Sequence, residues 1–287
     1  MSTDGETVTP AWGALPVEQY LIRNWDPSSE LSADEQRAEL VAAYIDEDVL
    51  DMDLLSLPPS RLPTATEIAE ILAPWRPQKL RRIAAAHLNG SPHYYYFLRT
   101  HYAGGAADDA KPRSWLDLEP LEGADISPEN EWFSVLDDAE LFDFGDAWQE
   151  VYGVLPELAA PQPDRRFTDH GIWYARKTAR DMVAPEEPED KYYQDAIMEY
   201  ATIGTMWLLV LDEEAFEPEE LGLILRDKKG NPVKETTIRP EELGAFYITW
   251  SRGATSESGY WEYAAVGKKY RTRGKIMRKL LPMVKGE

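Results

Sequence analysis

The segment LGLILRDKKGNPVKETTI, from Leu221 to Ile238, contains the clearest strand pattern of the sequence. Two runs rich in Leu, Ile, Val and Thr flank a short polar stretch, which is the pattern of two strands joined by a tight turn. The turn is placed at Lys228 to Asn231, because the Gly230-Asn231 pair tolerates the positive φ that such turns require. The segment therefore predicts an antiparallel hairpin.

Strand patterns continue on both sides of this hairpin. TMWLLVLD, residues 205–212, is an unbroken apolar run of the kind that is buried on both faces of a sheet. AFYITW (245–250) and YWEYAAV (260–266) predict two further strands, and EDKYYQDAIMEYA (189–201) predicts a helix. A mainly antiparallel sheet with flanking helices is expected in this half of the chain.

The first half of the chain is predicted to be mainly helical. Two helices begin with a capping box, in which a Ser or Thr cap and a Glu three residues later bond each other's backbone amides: Ser32 with Glu35, and Thr64 with Glu67. Further helices are predicted at residues 77–90, 127–136 and 138–153, and a strand at residues 91–102. The predicted fold class is α+β, a helical N-terminal half followed by a mainly antiparallel sheet with flanking helices.

Four parts are expected along the chain. The polar segment MSTDGETVTP predicts a disordered arm, and the Pro- and Ala-rich residues near 160 predict a linker between two domains. The parts are an arm at 1–12, a mainly helical domain at 13–160, an α+β sheet domain at 161–266, and a basic amphipathic tail at 267–287.

The composition excludes several classes of protein. The 287 residues are 43% hydrophobic, which is enough for a substantial core, and they contain no Cys, which excludes disulfides, thiolate nucleophiles and Cys-based metal sites. No apolar run approaches the roughly 18 residues that cross a bilayer, and the first ten residues lack the features of a secretion signal. A cytoplasmic protein is expected.

Charge is distributed unevenly along this acidic chain. The last 21 residues, GKKYRTRGKIMRKLLPMVKGE, contain 8 Lys or Arg and 1 acid, so the formal charge of -22 on the whole chain becomes -29 on the remainder. Residues 101–150 alone contain 14 acids and 2 cations. The acidic part is expected to attract a basic protein, whereas the tail is expected to attract an acidic surface.

The tail is predicted to form an amphipathic helix that Pro282 interrupts. The predicted partner-binding residues are Lys268, Lys269, Arg271, Arg273, Lys275, Ile276, Leu280 and Leu281. The field of the same chain favours the chain's own acidic body, or that of a second copy, as the surface that they hold. Nucleic acid is an alternative, because aromatic residues occur among and before these cations.

Catalytic signals are weak in this sequence. His93, His101 and His170 are the candidates for an acid or base, but no Gly-x-Ser-x-Gly, phosphate-binding loop or His-x-x-x-His pattern accompanies them. Neither a metal site nor a cofactor is predicted. A hydrogen-bonded, structural histidine is the preferred interpretation of each.

These observations favour a non-catalytic binding or assembly protein, such as an inhibitor, an immunity-type factor or a structural component, that engages a basic or self partner through charged surfaces. The first alternative is a hydrolase or transferase that uses His and carboxylates between the two halves. The second is a nucleic-acid-binding protein that acts through its basic C-terminus. Adaptation to salt would also explain the acidity, and would then make the charge uninformative about partners.

Overall fold

The computed structural model describes residues 9–46, 61–88, 95–116, 133–159, 168–181, 189–202, 207–251, 259–261 and 263–286. The chain forms two compact units. The first comprises Met1–Pro92 and Gln149–Pro163, and the second comprises His93–Trp148 and Asp164–Glu287.

Helices and strands occur in groups along the described chain, beginning with four helices before the first strand. The helices are α1 (Pro16–Asn24), α2 (Ala33–Asp46), α3 (Ala65–Glu67), which continues as a π-helix (Ile68–Leu72), α4 (Gln78–Leu88), α5 (Ala106–Leu116), α6 (Ala139–Phe142), α7 (Val151–Val154), α8 (Asp169–Asp181), α9 (Glu189–Thr202), α10 (Leu243–Ser251) and α11 (Lys275–Lys285). The strands are β1 (Tyr95–Arg99), β2 (Phe133–Leu136), β3 (Trp207–Leu211), β4 (Leu221–Arg226), β5 (Pro232–Ile238) and β6 (Ala265–Val266). The predicted α+β fold class is confirmed.

Both predicted capping boxes are confirmed in the first unit. The Ser32 amide donates to the Glu35 carboxylate over 2.9 Å, and the Glu35 amide donates to the Ser32 hydroxyl over 3.3 Å. The Thr64 amide likewise donates to the Glu67 carboxylate over 2.8 Å, and the Glu67 amide donates to the Thr64 hydroxyl over 3.2 Å. These side chains begin α2 and α3 because they bond amides that have no partner within the helix.

Two Arg–Glu ion pairs lie inside the first unit. Arg76 donates from both Nη atoms to the two carboxylate oxygens of Glu157, over 2.9 and 2.7 Å. Arg81 donates from Nε and Nη2 to Glu18. All four side chains are buried, so each charge depends on its partner for the interactions that water would otherwise provide.

The predicted disordered arm at 1–12 is packed at its last two residues. The guanidinium of Arg81 lies 3.8 Å from the ring centroid of Trp12, and its Nη2 donates to the Ala11 carbonyl over 2.9 Å. This part of the prediction is corrected, because a buried guanidinium fixes the chain there. Residues 1–8 lie outside the described residues.

The second unit is built on one mixed sheet with the strand order β2-β1-β3-β4-β5-β6. β1 runs parallel to β2 and β3, while the pairs β3–β4, β4–β5 and β5–β6 are antiparallel. The hairpin predicted at residues 221–238 is therefore present, and its Gly230 has a φ of +74°. The β3 strand is buried along its whole length, as its unbroken apolar sequence predicts.

Two apolar clusters form the core of the second unit. One combines β1, β3 and β4 with aromatic residues of α5, α10 and residues 259–261, and includes Phe97, Trp115, Leu209, Phe246 and Trp261. The other combines α8, α9 and α11 with β5, and includes Ala175, Ala196, Val233, Leu280 and Val284. The helices α8, α9 and α11 thus form a single packed layer.

Three secondary-structure predictions need correction. Residues 245–250, predicted as a strand, belong to helix α10, because an apolar run without alternation fits a buried helix equally well and Pro240 with Glu242 begins one. Residues 133–136, predicted within a helix, form strand β2. Within 260–266, only Ala265–Val266 is a strand.

The predicted domain boundary near residue 160 differs from the division that is found. Residues 93–148 belong to the second unit, because β1 pairs with β3 across more than a hundred residues of sequence. Residues 149–163 return to the first unit. Linker composition indicates where the chain is polar, but it does not indicate which distant strands pair.

Gly267 provides a test of the packing between β5 and the segment that precedes α11. Its amide donates to the Val233 carbonyl over 3.0 Å, and a Cβ at this position would overlap the carbonyl oxygen of Pro232. Gly267→Ala should therefore destabilise the protein by roughly 1–3 kcal/mol in urea unfolding.

Gly153→Ala is the matched control for this substitution. Nothing lies within 4 Å of a Cβ at Gly153, which belongs to helix α7. Since Ala favours helix over Gly by about 1 kcal/mol, this substitution should be neutral or stabilising. Equal effects at the two positions would contradict the close approach at Gly267.

Candidate functional site

The C-terminal helix α11 is anchored by its apolar side. Ile276, Met277, Leu280 and Val284 are buried against α8 and α9, and Leu281 is half-buried at the edge of the same cluster. Ile276, Leu280 and Leu281 were predicted to hold a surface of the chain itself or of a partner. In the structure they pack within their own unit, where full burial of a large apolar side chain contributes about 1.5–3 kcal/mol.

Polar contacts fix the last turn of α11. Arg176 of α8 donates from Nε to the Val284 carbonyl over 2.8 Å and from Nη2 to the Met283 carbonyl over 3.0 Å. Lys285 donates to Asp190 of α9 over 3.0 Å. These carbonyls have no partner within the helix, and the negative end of the helix dipole also stabilises the positive charge of the guanidinium.

Pro282 does not interrupt the helix, contrary to the prediction. α11 continues to Lys285 and ends at Gly286, which has a φ of +83° and donates to the Pro282 carbonyl over 2.9 Å. Pro282 is exposed, so water can bond the carbonyl that has no amide partner in this turn.

The segment before α11 is tied to the turn between β4 and β5. The buried hydroxyl of Tyr270 donates to Asp227 over 2.8 Å, and the amide of Asn231 donates to the same carboxylate over 2.9 Å. Lys269 donates from Nζ to the Asn231 side chain over 2.5 Å, while its carbonyl accepts from the amide of Ile276 over 3.1 Å. The segment is thereby held against the sheet.

The positive side chains of this segment and of α11, apart from Lys285, are exposed. We call Lys268, Lys269, Arg271, Arg273, Lys275, Arg278 and Lys279 the basic surface. Among the described residues, Lys268, Arg273, Lys275 and Arg278 make no ion pair. Their charges are therefore available to a ligand at the surface of the molecule.

The other cations of the basic surface have neighbours. Arg271 donates from Nε to the Val266 carbonyl over 3.0 Å and also lies near Glu235 on β5. Burial raises the pKa of the Glu235 carboxyl, and the Arg271 charge opposes that shift. On the same strand, burial lowers the pKa of the Lys234 amine, and Asp195 opposes that shift.

Among the described residues, the candidate histidines His101 and His170 are not brought together in a catalytic arrangement. His101 follows β1 and packs against Phe216, with the ring centroids 5.9 Å apart. His170 lies in the first turn of α8 and stacks on Trp173 at 5.9 Å. The third candidate, His93, lies outside the described residues. The described residues also include no cluster of three or more His, Asp or Glu that could hold a metal ion.

Two further arrangements do not favour a ligand. A buried Arg99 at the end of β1 is already bonded to the His101 carbonyl at 2.9 Å and to Asp109 at 2.7 Å. A pocket of about 350 Å³ in the first unit is lined by one face of α2 and by residues 74, 75, 150, 153 and 154. Its Arg37 is bonded to Asp34 and to the Glu70 carbonyl. Both arginines are satisfied within their own units.

The chain matches no protein-family model, no curated protein and no solved structure. Within the part of the chain that the structure describes, none of the helices combines the length and apolarity that a membrane crossing requires. The geometry of the basic surface is therefore the basis for the functional inference.

Sequence reasoning found the cations of the basic surface but missed the contribution of α8. Trp173, Arg176 and Lys177 occupy positions i, i+3 and i+4 of this helix, a spacing that places them on one side. That spacing is visible in the sequence. The sequence does not show that α8 packs beside α11, which brings the two groups of cations into one layer.

Proposed function

We propose that this protein is a non-catalytic binding protein that holds an anionic partner on the basic surface. The observation that supports the proposal is the orientation of α11. Its apolar side is buried and its last turn is fixed by Arg176, so Lys275 and Arg278 are held on the opposite, exposed side. A tail that served only to pair with the chain's own carboxylates would use these charges internally.

Preorganisation favours such a site. The backbone that carries the cations is already ordered by the Tyr270 and Lys269 contacts, which lowers the entropy lost when a partner binds. Screening restricts the opposing field of the acidic residues to about 8 Å at physiological ionic strength. A local positive surface can therefore bind an anion although the whole chain has a formal charge of -22.

The acidic surface of a second copy is one such partner, and self-association through charged surfaces stays a prediction. The basic protein predicted as a partner for the acidic part of the chain also stays a prediction, because the acid-rich residues 117–132 lie outside the described residues. Neither His101 nor His170 supports the hydrolase or transferase alternative, because the two residues share no contact among the described residues.

Removing the four unpaired cations should weaken the binding of a polyanion. In the variant Lys268→Ala, Arg273→Ala, Lys275→Ala, Arg278→Ala, we expect elution from heparin at lower salt. The slope of log affinity against log salt should also decrease by about 0.7–0.9 for each anion contact that is lost. The melting temperature should change by no more than about 2 °C, because all four side chains are exposed.

A second variant separates the site from net charge. Replacement of Arg23, Lys79, Arg113 and Lys191 by Ala removes the same number of exposed cations elsewhere. Heparin binding should then be almost unchanged. The proposal is wrong if both variants lose binding equally, or if the unaltered protein neither binds heparin nor self-associates in a manner that requires the four cations.

A further inference from the structure

An exposed tryptophan lies on the helix beside α11. Trp173 of α8 is 55% exposed. The ring of His170 stacks on it at an interplanar angle of 29°, and the Lys177 Nζ lies over the ring, 5.7 Å from its centroid. The part of the ring that stays exposed, with a cation next to it, offers a surface on which a flat group can stack.

Trp173 lies on the helix that contacts the last turn of α11. It is one turn away from Arg176 on the same side of α8, and Arg176 donates to the carbonyls of Met283 and Val284. Met283, in the last turn of α11, is itself 37% exposed. Trp173 and the cations of α11 thus belong to one layer of helices.

The charge of this layer is strongly positive. Residues 169–181 and 267–286 together contain 11 Lys or Arg and only 2 acids, Asp169 and Asp181. The neighbouring helix α9 carries four acids, of which Asp190 is bonded to Lys285. The positive potential is therefore concentrated on α8 and α11, where Trp173 and the basic surface lie.

We propose that α8 and α11 bind single-stranded nucleic acid, with a base stacked on Trp173 and with phosphates held by Lys177, Lys275 and Arg278. This inference rests on the proposed function and specifies its anionic partner. Stacking on an aromatic residue combined with phosphate contacts to Lys and Arg is how proteins bind single strands without reading their sequence. The site therefore tolerates many sequences and depends strongly on salt.

The tryptophan distinguishes this partner from other polyanions. A duplex keeps its bases stacked inside, and the acidic surface of a protein offers carboxylates that need cations alone. Neither uses an open aromatic ring. A strand whose bases are free uses both the ring and the cations, since each stacked base contributes about 1–3 kcal/mol.

The test measures the fluorescence anisotropy of a labelled oligothymidylate of about 15 nucleotides with the full chain, over a series of salt concentrations. We expect Trp173→Ala to weaken binding roughly 5-fold to 150-fold at every salt concentration, without a change in the salt slope. Trp173→Phe should retain most of the affinity. Lys275→Ala with Arg278→Ala should instead reduce the slope, by about 0.7 for each contact.

An abasic strand of the same length is the matched ligand control. It has the phosphates but no bases, so it should bind more weakly than oligothymidylate. Its affinity for the unaltered protein and for Trp173→Ala should be the same. Equal binding of both strands, with no effect of Trp173→Ala, overturns the single-strand inference but leaves the proposed anion site standing. If the protein binds none of oligothymidylate, the abasic strand and heparin, both the single-strand inference and the proposed anion site are wrong.

Discussion

Replacing Glu157 with alanine should lower the free energy of unfolding by about 3–5 kcal/mol, measured by urea denaturation. Glu157 and Arg76 are fully buried, and their two parallel hydrogen bonds are 2.9 and 2.7 Å long. Without the carboxylate, the guanidinium remains in an interior that cannot solvate it. Its remaining contacts, the Val154 carbonyl at 3.3 Å and the Trp75 ring at 4.2 Å, carry no full negative charge.

Two further variants show whether the loss arises from the unpaired charge. Asp190→Ala breaks the partly exposed pair with Lys285, where the side chains are 54% and 24% exposed, and should cost no more than about 1 kcal/mol. The double replacement Arg76→Met with Glu157→Leu removes both charges and should recover most of the stability lost by Glu157→Ala. If Glu157→Ala costs no more than Asp190→Ala, the buried pair is not required for stability.

Leu280→Asp should destabilise the second unit by about 4 kcal/mol or more. Leu280 is 1% exposed in the cluster of α8, α9 and α11, so a carboxylate there would be buried without a partner. Because the same cluster orients the basic surface, binding of heparin should be lost together with the structure of α11. Circular dichroism and urea denaturation measure the first effect, and heparin retention measures the second.

Leu281→Asp is the matched control, since it makes the same chemical change at the next residue. Leu281 is half-buried at the edge of the cluster, so its replacement should cost about 1 kcal/mol and leave heparin binding almost unchanged. Similar losses from both replacements would contradict the orientation of α11 that supports the proposed function.

Local chemistry allowed part of the fold to be predicted. The capping boxes at Ser32 and Thr64 depend on side chains three residues apart, and the Gly230 turn depends on one conformational preference, so neither needs knowledge of the tertiary structure. The apolar run of β3 was also sufficient to predict a buried strand. In each case the residues that decide the structure are neighbours in the sequence.

Long-range pairing could not be predicted in the same way. Residues 133–136 became a strand because they pair in parallel with β1, and residues 245–250 became a helix that packs Phe246 against Trp207 at 4.8 Å. Tertiary contacts overrode local preference at both places. For the candidate site, the cations were evident from the sequence, whereas the contact between α8, which carries Trp173, and α11 depends on packing between helices about a hundred residues apart.

The first unit is discontinuous in sequence, and this limits how the protein can be divided for experiments. A fragment that ended at Pro92 would contain Arg76 without Glu157, and would lack all of residues 149–163 that complete the unit. Such a fragment would contain a buried cation with no carboxylate. Truncation after Pro92 is therefore an unsuitable way to isolate this unit, and a fragment used for structure determination must supply both segments.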